Sequence, residues 1–223
     1  GSIETTGEKR MTFRLDIAKS NLDSLHIGRD SSHLASVIQV DIIGTDIEKM
    51  SGNISITNLT YLEKNQTIEI PDAKLLISRG DTSDHYQLNS SIGDFTIDGK
   101  LHLKDLDNNI NHQLSKILPA LFKKDENIMI DEFRNQFAFE FDFKNTDDIL
   151  AVFYPELRIA PQTDIKGEYF GSQKNFNTHI YSDSISYDGK KFEEVTVHQT
   201  IDSTNVFGEY HVKNFIYNDS LNF

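Results

Sequence analysis

Cysteine and tryptophan are absent from this chain of 223 residues. Without cysteine there is no disulfide and no thiolate metal site, and the absence suits a cytosolic and a periplasmic protein equally. Cations are scarce: 22 Lys and Arg stand against 35 Asp and Glu, a formal net charge of −13. Phosphate binding needs clustered Lys and Arg, so this balance argues against nucleic acid and against a docking surface for anionic lipid headgroups. Its plain meaning is solubility. Long apolar runs are missing too. Nothing approaches the ~20 residues of a membrane-spanning helix, and no signal peptide is visible. Gly1-Ser2 reads as a cloning remnant, so the expectation is a piece of a longer chain, about whose targeting these absences say nothing.

What is present is strand-period alternation, repeated almost end to end. Met11, Phe13, Leu15 and Ile17 alternate with polar residues. So do Ile54 and Ile56, Ile68 and Ile70, Tyr86 and Leu88, and Phe95 and Ile97. Phe137, Phe139, Phe141 and Phe143 place four rings on one face of a strand. Ile165, Phe176 to Ile180, Ile185 to Val197, and Val206 to Val212 continue the pattern. One wet and one apolar face predicts antiparallel sheet. Ser51-Gly52, Arg79-Gly80-Asp81 and Asp188-Gly189 read as turns, the last as a tight hairpin.

Two segments switch to a helical period. From Lys104 to Phe122, Leu106, Ile110, Leu114, Ile117, Leu118 and Leu121 form one stripe, with Asp105 or Asp107 as cap and Pro119 near its end. A shorter helix is expected at 147–154. Thr146 is its candidate cap, Asp147 and Asp148 favour the dipole, and Pro155 stops it. Ile149, Leu150 and Phe153 would be its buried stripe. The chain therefore divides into a remnant (1–2), a β segment (3–103), a helix, Phe-rich strand and helix (104–155), and a second β segment (156–223), all one continuous module. A polar-turn hairpin at 58–70 is echoed at 184–195, a hint of internal repetition.

Catalytic patterns are not visible. Eight His residues are scattered without metal-ligand spacing. Asp105-Leu-Asp107-Asn-Asn109 starts like a calcium loop but lacks glycine at its sixth position, and Ser115 and Lys116 stand where the closing carboxylate belongs. Asp147-Asp148 and Glu193-Glu194 are adjacent in sequence, which is not acid–base geometry. No nucleophile elbow, phosphate loop or dinucleotide fingerprint occurs. The expectation is a non-enzyme with no cofactor and no metal. An apolar sheet face must still be covered by a second sheet, a helix or a ligand. Of these the closed core is the favoured reading on physics alone, and an open trough holding acyl chains or an amphipathic peptide is the sharper one.

Several stretches, in order, resemble the middle region of TamB-like proteins of Bacteroidota, relatives of the AsmA-like family. They are Met50 to Tyr61 with Ile68-Glu-Ile70 and Leu75-Leu76-Ile77, then Leu88 to Leu101 leading into the helix with Leu118-Pro119-Ala120-Leu121. The short helix before Pro155, Gly167-Glu-Tyr-Phe and the run from Phe176 to Val197 follow. Together they span roughly residues 34–213. The resemblance implies a long, curled, groove-like sheet with an apolar interior; the two helices of this chain depart from that picture and would plug or cap the groove locally. It also implies a parent chain anchored in the inner membrane of a Gram-negative envelope and crossing the periplasm. Its business would be outer-membrane biogenesis: phospholipid transport, and protein assembly or secretion with a TamA-like outer-membrane barrel. Partners would then be phospholipid or amphipathic β-strands. The groove lining implied is Phe137, Phe139, Phe141, Phe143, Ile54, Ile56, Phe95, Ile97, Ile180, Val195 and Val197. The rival is a closed-core structural or adhesive β-sandwich or solenoid domain of the cell envelope.

Overall fold

The alternation resolves into thirteen strands of one antiparallel sheet. A computed structural model describes residues 2–4, 9–22, 32–63, 66–104, 106, 134–173, 175–202 and 204–217. In chain order the strands are β1 Ser2–Glu4, β2 Arg10–Asn21, β3 Ser32–Ile43, β4 Ser51–Glu63, β5 Gln66–Ser78, β6 Asp84–Ser90, β7 Gly93–Lys100 and β8 Gln136–Phe143. After helix α1, Asp147–Phe153, come β9 Leu157–Ile159, β10 Thr163–Phe170, β11 Asn175–Tyr187, β12 Lys190–Ile201 and β13 Val206–Tyr217.

Each strand pairs with the next, except that β8 pairs β10 while β9 adds to the far part of β11. Such a meander needs only short connections, which fits a sequence of alternating strands and turn residues. The sheet is elongated and curled, and it does not close: β1 and β13 are its two edges. No second sheet packs over it among the described residues, so the expectation of a closed core gives way to an open sheet. No described helix is long and apolar enough to cross a membrane.

Turn chemistry is legible in part. Asp188 (φ 50°) and Gly189 (φ 74°) both adopt positive φ and join β11 to β12 in two residues, the geometry that matches strand twist. Arg79-Gly80-Asp81 lies between β5 and β6 as expected. Ser51-Gly52 does not turn. It opens β4, and Gly52 packs so closely on β3 that an added Cβ would lie 2.1 Å from the Asp41 carbonyl oxygen. The reversal is made instead by residues 44–50. The two echoed hairpins are real neighbours, β4–β5 and β11–β12, and each carries one left-handed non-glycine residue within a strand, Asn58 (φ 52°) and Glu194 (φ 49°).

Helix α1 stands where the sequence puts it, but its cap differs. Thr146 occupies the cap position, yet its hydroxyl makes no capping bond and is buried without a partner. Asp147 and Asp148 do fill the first turn. Leu150 is buried, whereas Phe153 is largely exposed and stacks on Tyr61, ring centroids 6.1 Å apart. In the first predicted helix Leu103, Lys104 and Leu106 are helical; the rest of its stripe, Asp105, Asp107 and Pro119 lie outside the described residues.

Candidate functional site: the apolar face

Residues opposite one another in an antiparallel pair share a face, so the register says where each side chain stands. Phe141 faces Phe95, which faces Leu88, Leu75, Ile54, Val40 and Phe13 in turn. In the other direction Phe141 faces Ile165, Ile180, Val197 and Tyr210. An uninterrupted apolar row of eleven residues therefore crosses the sheet from β2 to β13. At ~4.8 Å per strand it runs about 48 Å.

All eleven residues expected from the resemblance fall on this face. Phe95, Phe141, Ile54, Ile180 and Val197 lie in the row itself. Ile97 and Phe139 face each other one step along, Phe143, Ile56 and Val195 are two residues from row members on their own strands, and Phe137 is four from Phe141. Phe13, Leu88, Ile165 and Tyr210, read from alternation within their strands, join the row, and sequence reading missed Val40 and Leu75 as fellow members. The signal was cross-strand register, which alternation within a strand does not carry.

The rings form a connected cluster. Phe95 meets Phe141 and Phe143 edge-on at 5.2 and 5.8 Å, Phe139 lies 5.2 Å from Phe141, and Phe139 stacks on Phe176 at 5.9 Å. Gly167 makes this stack possible. It faces Phe139 across the β8–β10 pair, and a Cβ there would lie 2.4 Å from the ring. Most of the row is only half-buried. Coverage is local: Ile77, Tyr86 and Leu101 form a buried cluster with Leu103 and Leu106 against it, and α1 covers the corner at Tyr61 and Ile68.

The opposite face is polar and held by cross-strand ion pairs. Arg10 donates from Nε and Nη2 to the two carboxylate oxygens of Asp41, at 2.7 and 2.6 Å. That fork holds the Asp41 carboxyl below its ordinary range. Lys166 bridges Glu140 at 2.7 Å and Asp164 at 2.9 Å, and its pKa is pushed up by those two carboxylates. His179 and His198, far apart in sequence, face each other across β11 and β12 with rings 4.2 Å apart. Among the described residues no three His, Asp or Glu side chains gather as a metal site.

Compared with family models, curated proteins and solved structures, the chain matches none. What the site can do is therefore argued from its own geometry. A half-exposed apolar row can take an elongated apolar body by removing both surfaces from water, worth ~0.8 kcal/mol per buried methylene. It offers no directed polar group along its length to hold a small polar substrate.

Proposed function

We propose that this chain is a non-enzymatic groove segment of a larger periplasmic protein of the TamB-like, AsmA-like type. Its apolar face shelters phospholipid acyl chains, or amphipathic strands of nascent outer-membrane proteins, on their way across the envelope. The parent chain is anchored in the inner membrane and works with a TamA-like barrel in outer-membrane biogenesis. The observation that carries the reading is the eleven-residue apolar row, about 48 Å long. One leaflet's acyl layer is only about 15 Å thick, so the row has room for more than one chain at a time. The order of sequence stretches resembling TamB-like proteins supplies the compartment and partners. The strand-sheltering version draws support from β13, whose outer edge is unpaired among the described residues and presents backbone donors and acceptors to an incoming strand.

The test is native mass spectrometry of the purified chain with lipid extraction from the same sample. Phospholipid is expected to co-purify and to be lost from the double variant Phe139→Asp, Phe141→Asp, which is expected to keep its fold because both rings are only half-buried. A lipid-free protein that stays empty after incubation with phospholipid micelles would overturn the reading. Unfolding of the double variant would favour the structural or adhesive module instead, since unpartnered charges cannot be buried in a closed core.

A further inference from the structure

At the strand end where the 44–50 reversal, the 79–83 turn and residues 100–104 meet, the surface opens into a cavity of about 530 Å3. Lys49, Arg79, Lys100, Lys104 and Arg134 line it, with Glu48 and Asp84 as its carboxylates. The chain as a whole carries −13, so this cavity inverts the sign of its surroundings. Net charge describes a whole surface and not a concave site, and here the five cations outnumber the carboxylates beside them, Asp46, Glu48 and Asp84.

Two of the cations are committed to structure. Arg79 donates to the carbonyls of Met50 (3.1 Å) and Ile47 (2.9 Å) and to Asp84 (3.0 Å), and lies over the Tyr86 ring at 4.9 Å. Lys100 donates to the Gly80 carbonyl at 2.7 Å. They form a fixed positive wall. Lys49 and Lys104 are exposed at the mouth, Lys104 resting on Asp46 at 3.2 Å. Leu101 joins the cavity to the apolar face: it lines the one and is buried with Ile77 and Tyr86 beneath the other.

We propose that this cavity binds the phosphate-bearing, anionic headgroup of an amphipathic lipid, with Lys49 and Lys104 holding the phosphate while the apolar body skirts the covered Leu101 cluster and lies on the half-buried Leu75 and Ile97 beside it. Lysine suits this role as a mobile point charge on phosphate. The inference rests on the groove reading above and adds to it a headgroup site and an orientation.

The test uses the whole chain and three probes in isothermal titration calorimetry at low salt: short-chain phosphatidylglycerol, phosphatidylcholine with the same chains, and inorganic phosphate. The comparison is wild type against Lys49→Gln, Lys104→Gln, two exposed changes expected to leave the fold intact by circular dichroism. Phosphatidylglycerol should bind about tenfold more tightly than phosphatidylcholine, the order expected from two exposed charge contacts. The double variant should erase that difference, weakening phosphatidylglycerol far more than phosphatidylcholine, whose choline cation already offsets its phosphate charge. Equal binding of the two lipids, or a preference that survives in the variant, would overturn the headgroup site while leaving the groove standing. Inorganic phosphate binding as tightly as phosphatidylglycerol would identify a soluble-anion site and overturn the link to the apolar face. Phosphate bound by wild type and not by the variant, with neither lipid bound, would keep the anion site and sink the groove.

Discussion

The middle of the strand order and its β13 end are built differently. Around β5 to β7, Ile77 and Tyr86 are each 8% exposed and Leu101 3%, with Leu103 and Leu106 laid over them. Arg79 then pins the 44–50 reversal to β5 and β6. At β13 every residue is exposed, Tyr210 by 65% and Phe215 by 57%, although Tyr210 ends the same apolar row. One apolar face therefore serves two purposes. Where it is covered it holds the chain together, and where it is bare none of the described residues is laid over it. The difference lies in what packs above the sheet, since the residues of the sheet itself are alike in kind.

Breaking the covered middle should have the largest effect. Ile77→Ala removes a buried side chain from a small cluster with few neighbours to collapse inward, and about 3 kcal/mol of stability should be lost. Val212→Ala, on the same face at the bare end, should cost less than about 0.5 kcal/mol. Urea unfolding followed by circular dichroism measures both. Equal losses would mean that the distinction between covered and bare regions does not hold in solution.

A middle-sized effect is expected at the junction of the two regions. Gly167→Val puts a side chain where the Phe139 ring lies, so the ring must leave its stack on Phe176. Overpacking of this kind costs about 1–3 kcal/mol. Combining it with Phe139→Ala should recover part of the loss, because the space then becomes available. A double-mutant cycle by the same urea titrations reports the coupling, and strict additivity would show that the ring does not rest over Gly167.

How much of this was legible in the sequence depends on whether the two faces differ in polarity. β8 was plain because Phe137, Phe139, Phe141 and Phe143 share a face while Ala138, Glu140 and Asp142 take the other. β3 passed unseen. Its Ile38, Val40 and Ile42 alternate, but Val37 and Ile43 put apolar groups on the other face and blur the period. The role of Gly167 was hidden for another reason: a glycine acquires meaning only from the ring paired against it across strands. The basic cavity was invisible behind the net charge, because Lys49, Arg79, Lys100, Lys104 and Arg134 come from four separate stretches of chain.

The smallest effect sharpens the bare end. Packing contributes little to holding β13 in place, so the turn before it is held by polar contacts. Asp202 accepts hydrogen bonds at Oδ1 from the backbone N–H groups of Thr204 and Asn205, both at 2.7 Å, and at Oδ2 from the Asn205 side chain. These bonds to the charged form, the Thr204 N–H first, lower its pKa from 3.8 to about 2. A lowered carboxylate pKa means that the folded turn binds its proton less readily than the open chain. The stabilisation is therefore complete above about pH 4 and fades as pH falls through about 2. Carboxyl chemical shifts followed by NMR should show Asp202 titrating near 2, while Thr204 and Asn205 amides lose exchange protection over the same window. Asp202→Ala should remove that pH dependence and leave the exchange of Ile77 and Tyr86 amides unaltered. An Asp202 that titrates near 4 would place the hold on β13 elsewhere than in this turn.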